Sequence, residues 1–206
     1  MSDTTYLLLI ALPIIFISMS VHELMHAVTS AWLGDDTARL QGRISLNPAR
    51  HIDPYLTLLI PFFLILSHSP VIFGAAKPVQ VNFYRLRHGK FGGALVGMIG
   101  PLTNLVLAVL AAADLRLLQP EAGIIQDILV TAVAVNIGFF VFNSIPWPPL
   151  DGSRLLYAFA PRPLREAMEA IEGFGMMGLF IFIFLFYQFS SGLGDIIVRL
   201  TGALLT

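Results

Sequence analysis

At 206 residues the chain has the length of one domain, but 56% of it is hydrophobic and only 12% charged. That is about half the charged share of a soluble domain, and the mean hydropathy of +0.80 agrees with a chain that meets lipid. A net charge of -1 excludes the basic footprint that nucleic-acid binding needs, and the absence of cysteine excludes disulfides and thiolate metal ligands.

In chain order, Tyr6 to Leu33 predicts a first membrane helix that Gly34, Asp35 and Asp36 terminate. Met1 to Thr5 carries no Lys or Arg, and no small-residue cleavage site follows the apolar run, so this helix is expected to be retained. Its second half holds His22-Glu23-Leu24-Met25-His26, an H-E-x-x-H pattern. Two imidazoles four residues apart turn through about 400° on a helix and share one face at metal-ligand spacing. Glu23 stands next to one of them, close enough to take a proton from an activated water. Three ionisable groups inside an apolar span are costly and call for a function.

Two stretches that follow alternate with period two. Leu40, Gly42, Ile44 and Leu46 oppose Arg39, Gln41, Arg43 and Ser45, and Val79, Val81 and Phe83 alternate with Gln80 and Asn82. Both predict strands just outside the membrane, as a small cover or as an edge for an extended peptide. Between them, Tyr55 to Leu66 is apolar but short and divided by Pro61, which predicts a re-entrant segment. His51 and Asp53 read as caps of the turn before Pro54, and His68 and His88 as solvated loop residues.

Phe91 to Leu118 and Ile124 to Phe142 each predict a span, and Gly175 to Phe189 a fourth of borderline length. Glu166, Glu169 and Glu172, interleaved with Leu164, Met168 and Ile171, predict an amphipathic surface helix. At the end of the chain, Leu193, Ile196, Ile197, Leu200 and Leu204 share one helical face opposite the pair Asp195 and Arg199, which predicts an interfacial helix. The expected architecture is an all-α polytopic membrane protein, a single domain over 1–206. It has about four transmembrane helices, a re-entrant segment, a small β element and a C-terminal interfacial helix. On this map all basic residues but Arg116 and Arg199 share one side, ten of the twelve. The positive-inside rule puts that side in the cytoplasm.

H-E-x-x-H supplies two metal ligands, whereas a hydrolytic zinc has three protein ligands and a water. Without cysteine the third is His, Asp or Glu. Asp151 is the leading candidate, because it follows Asn143-Ser144-Ile145-Pro146-Trp147-Pro148-Pro149-Leu150 at the same end of the bundle as the motif. Three prolines there unwind the backbone, which is tolerated at membrane depth only where it lines a cavity. Asp is also a favoured helix N-cap, so the residues alone leave both readings of Asp151 open. Asn104 and Asn143 are likewise open to a role as interhelical hydrogen-bond glue.

Taken in order, His22-Glu23-x-x-His26, Asn47-Pro48-Ala49-Arg50-His51-Ile52-Asp53-Pro54, Gly100-Pro101-Leu102-Thr103-Asn104 and Asn143 through Gly152 resemble the site-2 protease family of intramembrane metalloproteases. The resemblance covers about residues 20 to 155 and points to the compact prokaryotic branch that lacks PDZ and CBS domains. It implies one zinc ion held by His22, His26 and Asp151, with Glu23 as general base. It also implies that Asn143 steadies the substrate backbone or the developing oxyanion, and that Asn104 is a supporting polar group. Trp147 departs from the smaller aliphatic residue expected between the prolines, which bears on the shape of the substrate entrance. The implied setting is a prokaryotic inner membrane, with the site toward the cytoplasm and a transmembrane protein as substrate. The rival reading from another class is a zinc transporter or sensor without hydrolysis. Ion passage would want polar residues at several depths, and Val106 to Ala113 and Ile128 to Ala134 are nearly devoid of them.

Overall fold

The structure, a computed structural model, describes residues 3–51, 77–175, 177–178 and 191–206. The re-entrant expectation at 55–66, most of the borderline fourth span and His68 lie outside these residues. Among the described residues three helices are long and apolar enough to cross a membrane: α1 (Asp3–Trp32), α3 (Gly89–Leu118) and α4 (Ile124–Asn143), with α2 (Thr37–Leu40) a single turn after the first. Their boundaries follow the hydropathy pattern to within two or three residues. α1 stops because Gly34 takes a left-handed conformation (φ 102°), which lets the Asp35 amide reach back to the Ser30 carbonyl at 2.9 Å.

The three long helices alternate in direction. The Tyr6 hydroxyl near the start of α1 donates to Asp127 in the first turn of α4 (2.8 Å), so those two starts share one end. At the opposite end the Arg87 amide, just before α3, donates to the Leu33 carbonyl just after α1 (2.8 Å). The interface of α3 and α4 sets small residues of α3, Ala108, Ala111 and Ala112, against Val133, Ile137 and Val141 of α4. Small side chains allow close backbone approach, which is how helices associate when lipid removes the hydrophobic drive. The outward faces stay apolar, with Leu9, Ile17, Val106 and Leu110 all more than half exposed. Such a surface is unfavourable in water and ordinary against acyl chains.

Beyond α4 the chain turns through its prolines into α5 (Gly152–Phe159) and α6 (Arg162–Gly173). In α6, Met168 is buried as the amphipathic pattern predicts, but its acidic residues are more than a solvated face. Glu172 pairs with Arg154, and Glu169 accepts from the Tyr157 hydroxyl, which ties α6 to α5. The C-terminal α7 (Ser191–Leu205) forms where the face pattern predicts. Its Leu193, Ile197 and Leu204 are spent on the Ala-rich interface of α3 and α4, so this helix packs on the spans.

The expected β element is corrected: neither alternating stretch forms a strand. Residues 39–40 close α2, 41–42 turn, and 43–47 run without ladder partners. Alternation there also fails in sense, since Arg43 is buried with its guanidinium on the Arg50 carbonyl while Leu40 and Leu46 are exposed. Residues 79–83 do put Val81 and Phe83 inward, against Leu33, Leu86 and Val96. Two of their amides, however, are taken by carboxylates in and just after the first helix. Val79 N–H donates to Glu23 (3.0 Å) and Asn82 N–H to Asp35 (2.7 Å). A strand needs those same donors for a neighbouring strand.

Candidate metal centre

His22 and His26 sit on the inner face of α1, each about 6% exposed, with ring centroids 4.7 Å apart. Their spacing is the local consequence of the helix; their rotation is set by α3. His26 Nδ1 is 2.6 Å from the Val96 carbonyl, and His22 Nδ1 is 2.5 Å from Asn104 Oδ1. Both of these partners are acceptors, so each Nδ1 carries the proton and each Nε2 presents a lone pair.

Those lone pairs meet a third acceptor. Asp151 Oδ2 lies 3.0 Å from His22 Nε2 and 3.3 Å from His26 Nε2, and the two Nε2 atoms are 3.0 Å apart. Three acceptor atoms with no proton among them repel unless a cation sits between them. A tetrahedral zinc with bonds of about 2.0–2.1 Å separates its ligands by roughly 3.3 Å. The His22, His26 and Asp151 group therefore fits such an ion in both donor type and size.

The space in front of the imidazoles is kept open by glycine. A Cβ on Gly100 would stand 2.3 Å from His26 Nε2 and 2.6 Å from His22 Nε2, inside the volume the ligands enclose. Further along α3, a Cβ on Gly97 would meet the Asp151 carbonyl at 2.8 Å, so the absent side chain seats the Asp151 turn against that helix.

Asp151 occupies the N-cap position of α5 but makes no capping bond with its side chain. The carboxylate turns to the imidazoles instead of the first amides of α5. The side chain is 26% exposed against 8% for each imidazole, so the centre opens on the carboxylate side.

Of the other expected site residues, Asn104 is fully buried and joins three helices. It accepts from His22 of α1 and donates from Nδ2 to Asn136 Oδ1 of α4 at 2.8 Å. Asn143 stays within its own helix, donating to the Phe139 carbonyl (3.0 Å) at the C-terminal end of α4. Glu23 is half-buried and held by the Val79 amide. His51 is buried on the Ser45 carbonyl (2.8 Å), while Asn47 caps the short turn Pro48–Arg50 by accepting from the Ala49 amide. His88 is exposed at the start of α3, as expected of a loop residue.

Sequence reasoning missed Asn136, which is 3% exposed. The signal was present: an amide in an apolar span, seven residues before Asn143 and so two turns away on the same face. The Val79 contact to Glu23 had no such signal, because every non-proline residue carries the same backbone donor.

Comparison with known proteins gives a consistent set. The chain is 33% identical over 180 residues to the Bacillus subtilis protein named "Putative zinc metalloprotease YwhC", covering 84% of this chain and 77% of that one. Proteins of the same description named Rip2 match at 28% identity in Mycobacterium tuberculosis H37Rv and 27% in Mycolicibacterium smegmatis. The chain spans 62% and 61% of those two relatives. No family model and no solved structure matches.

Proposed function

We propose, from the premise that this chain belongs to the site-2 protease-like family of zinc metalloproteases, that it is a zinc-dependent endopeptidase working inside the membrane. It cuts peptide bonds within or beside the transmembrane segments of other proteins, in regulated intramembrane proteolysis. The observation that carries the reading is the convergence of His22 Nε2, His26 Nε2 and Asp151 Oδ2 from a membrane helix and a proline-broken turn.

One zinc ion held by those three residues would acidify a water and polarise the scissile carbonyl. Glu23, adjacent to His22, takes the proton of the attacking water and delivers it to the leaving amine. The Val79 amide steadies that carboxylate. Asn143 stands at the end of α4 next to the turn that carries Asp151. An Asn side chain has two donors and one acceptor, so the bond to Phe139 leaves groups to offer a substrate backbone or a developing oxyanion. A helical substrate hides its carbonyls in its own hydrogen bonds and must unwind locally before attack.

Ten basic residues lie at the end of the bundle that holds the centre, which supports a site facing the cytoplasm of a prokaryotic inner membrane. Water then has a short route to the exposed edge of Asp151. The test is cleavage of a single-span substrate in liposomes, wild type against Glu23→Gln, with zinc measured on both. The variant is expected to retain zinc and lose cleavage. Undiminished cleavage removes the assignment of the base, and zinc flux through the wild type without any peptidase activity replaces the reading with transport.

A further inference from the structure

Resting on that reading, we infer that Asn136 is a positioning residue for the metal centre: through Asn104 it sets which nitrogen of His22 is left to bind the ion. The contacts form a chain with a defined direction. Asn136 Nδ2 donates to the Ala132 carbonyl (2.9 Å), Asn104 Nδ2 donates to Asn136 Oδ1 (2.8 Å), and Asn104 Oδ1 faces His22 Nδ1 (2.5 Å). A backbone carbonyl can only accept. Asn136 must therefore turn its NH2 toward Ala132 and its oxygen toward Asn104. Asn104 in turn must present its NH2 to Asn136 and its oxygen to His22. The imidazole answers by carrying its proton on Nδ1, and Nε2 is left with the lone pair that points at His26 Nε2 and Asp151 Oδ2.

The other imidazole reaches the same state in one step, since His26 Nδ1 lies directly against the Val96 carbonyl. His22 has no backbone carbonyl in that position and borrows one from α4 through two amides. The arrangement needs Asn at both places. Asn104 is fully buried and Asn136 is 3% exposed, so neither can exchange its partner for water. Without Asn136 the Asn104 amide has nothing to distinguish its two ends. When Asn104 is flipped, its NH2 faces His22 Nδ1, that nitrogen becomes the acceptor, and the proton moves to the nitrogen the metal requires.

A partner that orients a metal-bound imidazole in this way is worth about 10–100-fold in metal affinity. The experiment measures the zinc affinity of the full-length chain in detergent, by competition with a chelator, beside the thermal melting of each zinc-free variant. Asn136→Ala is expected to lower zinc affinity by about 10-fold or more. The discriminating background is Asn104→Asp, whose two carboxylate oxygens both accept and so cannot be flipped. In that background Asn136→Ala is expected to change zinc affinity less than about 3-fold, because the choice of atom no longer exists. A role in packing alone would carry the same loss into both backgrounds. Where Asn136→Ala does not fold, Asn136→Asp serves: it keeps an acceptor oxygen toward Asn104 and is expected to hold affinity within about 3-fold of wild type. Wild-type affinity in Asn136→Ala, an undiminished loss in the Asn104→Asp background, or a folded Asn136→Asp that loses zinc overturns the relay alone. A wild-type chain that takes up no zinc overturns the metalloprotease reading, and the relay with it.

Discussion

The two ends of the helix bundle are built by different rules. Beyond Asn104 and Asn136, toward the far end, α3 and α4 meet through Ala108, Ala111, Ala112 and Val133, and specificity there is a matter of shape. At the near end the same helices enclose His22, His26, Asn104 and Asn136, and every one of these polar side chains is matched to a named partner. Alanine faces tolerate many neighbours of similar size, whereas a buried amide or imidazole left without a partner costs roughly 1–3 kcal/mol. The end that holds the candidate centre is thus over-specified, and the end that holds the bundle together is not.

Substitutions at the two ends should separate metal binding from stability. The largest effect is expected from His26→Ala, which removes a ligand atom and leaves two: zinc content and cleavage should both fall to background, as should cleavage by wild type treated with a chelator and restored on adding zinc back. Retention of one zinc per chain by His26→Ala would dissolve the distinction between the ends. Gly100→Ala comes next. Its methyl group would lie 2.3 Å from His26 Nε2, so zinc affinity should drop by at least about 100-fold, the upper end of the loss caused by disturbing a ligand's supporting partner. Wild-type affinity in that variant would show that the glycine face does not shape the centre.

Ala108→Leu probes the opposite end. Overfilling a position with no exposure should destabilise the bundle by about 1–3 kcal/mol, read as a lower melting temperature, with zinc affinity unchanged. A loss of zinc in parallel with stability would mean that the two ends are coupled. Tyr6→Phe removes the hydroxyl that meets Asp127 between the starts of α1 and α4. It is expected to have the smallest effect, a slight fall in melting temperature with cleavage retained. Impaired cleavage would again bring the far end into the chemistry.

Much of this was readable from residue order. A span carrying H-E-x-x-H needs only helical periodicity to put His22 and His26 side by side, because neighbours four apart are set by local geometry. The ends of α1, α3 and α4 follow from hydropathy, from Gly34 and from Pro146, again local causes. The strand expectation failed where local alternation was real but its hydrogen bonds were taken elsewhere: Val79 and Asn82 give their amides to Glu23 and Asp35. Period two records which side chains face inward, and it carries no information about who receives the N–H.

What the residue sequence determined by itself was a chain with helices apolar enough to cross a membrane and two imidazoles at metal-ligand spacing beside a carboxylate, since these depend on composition and on neighbours within one or two turns. Only the tertiary structure decided that the Asp151 carboxylate turns from α5 to meet those imidazoles, that Gly100 leaves open space in front of them, and that Asn136 reaches His22 through Asn104. Those contacts join residues tens of positions apart. They exist because three helices pack in alternating directions, which is a property of the whole fold rather than of any segment.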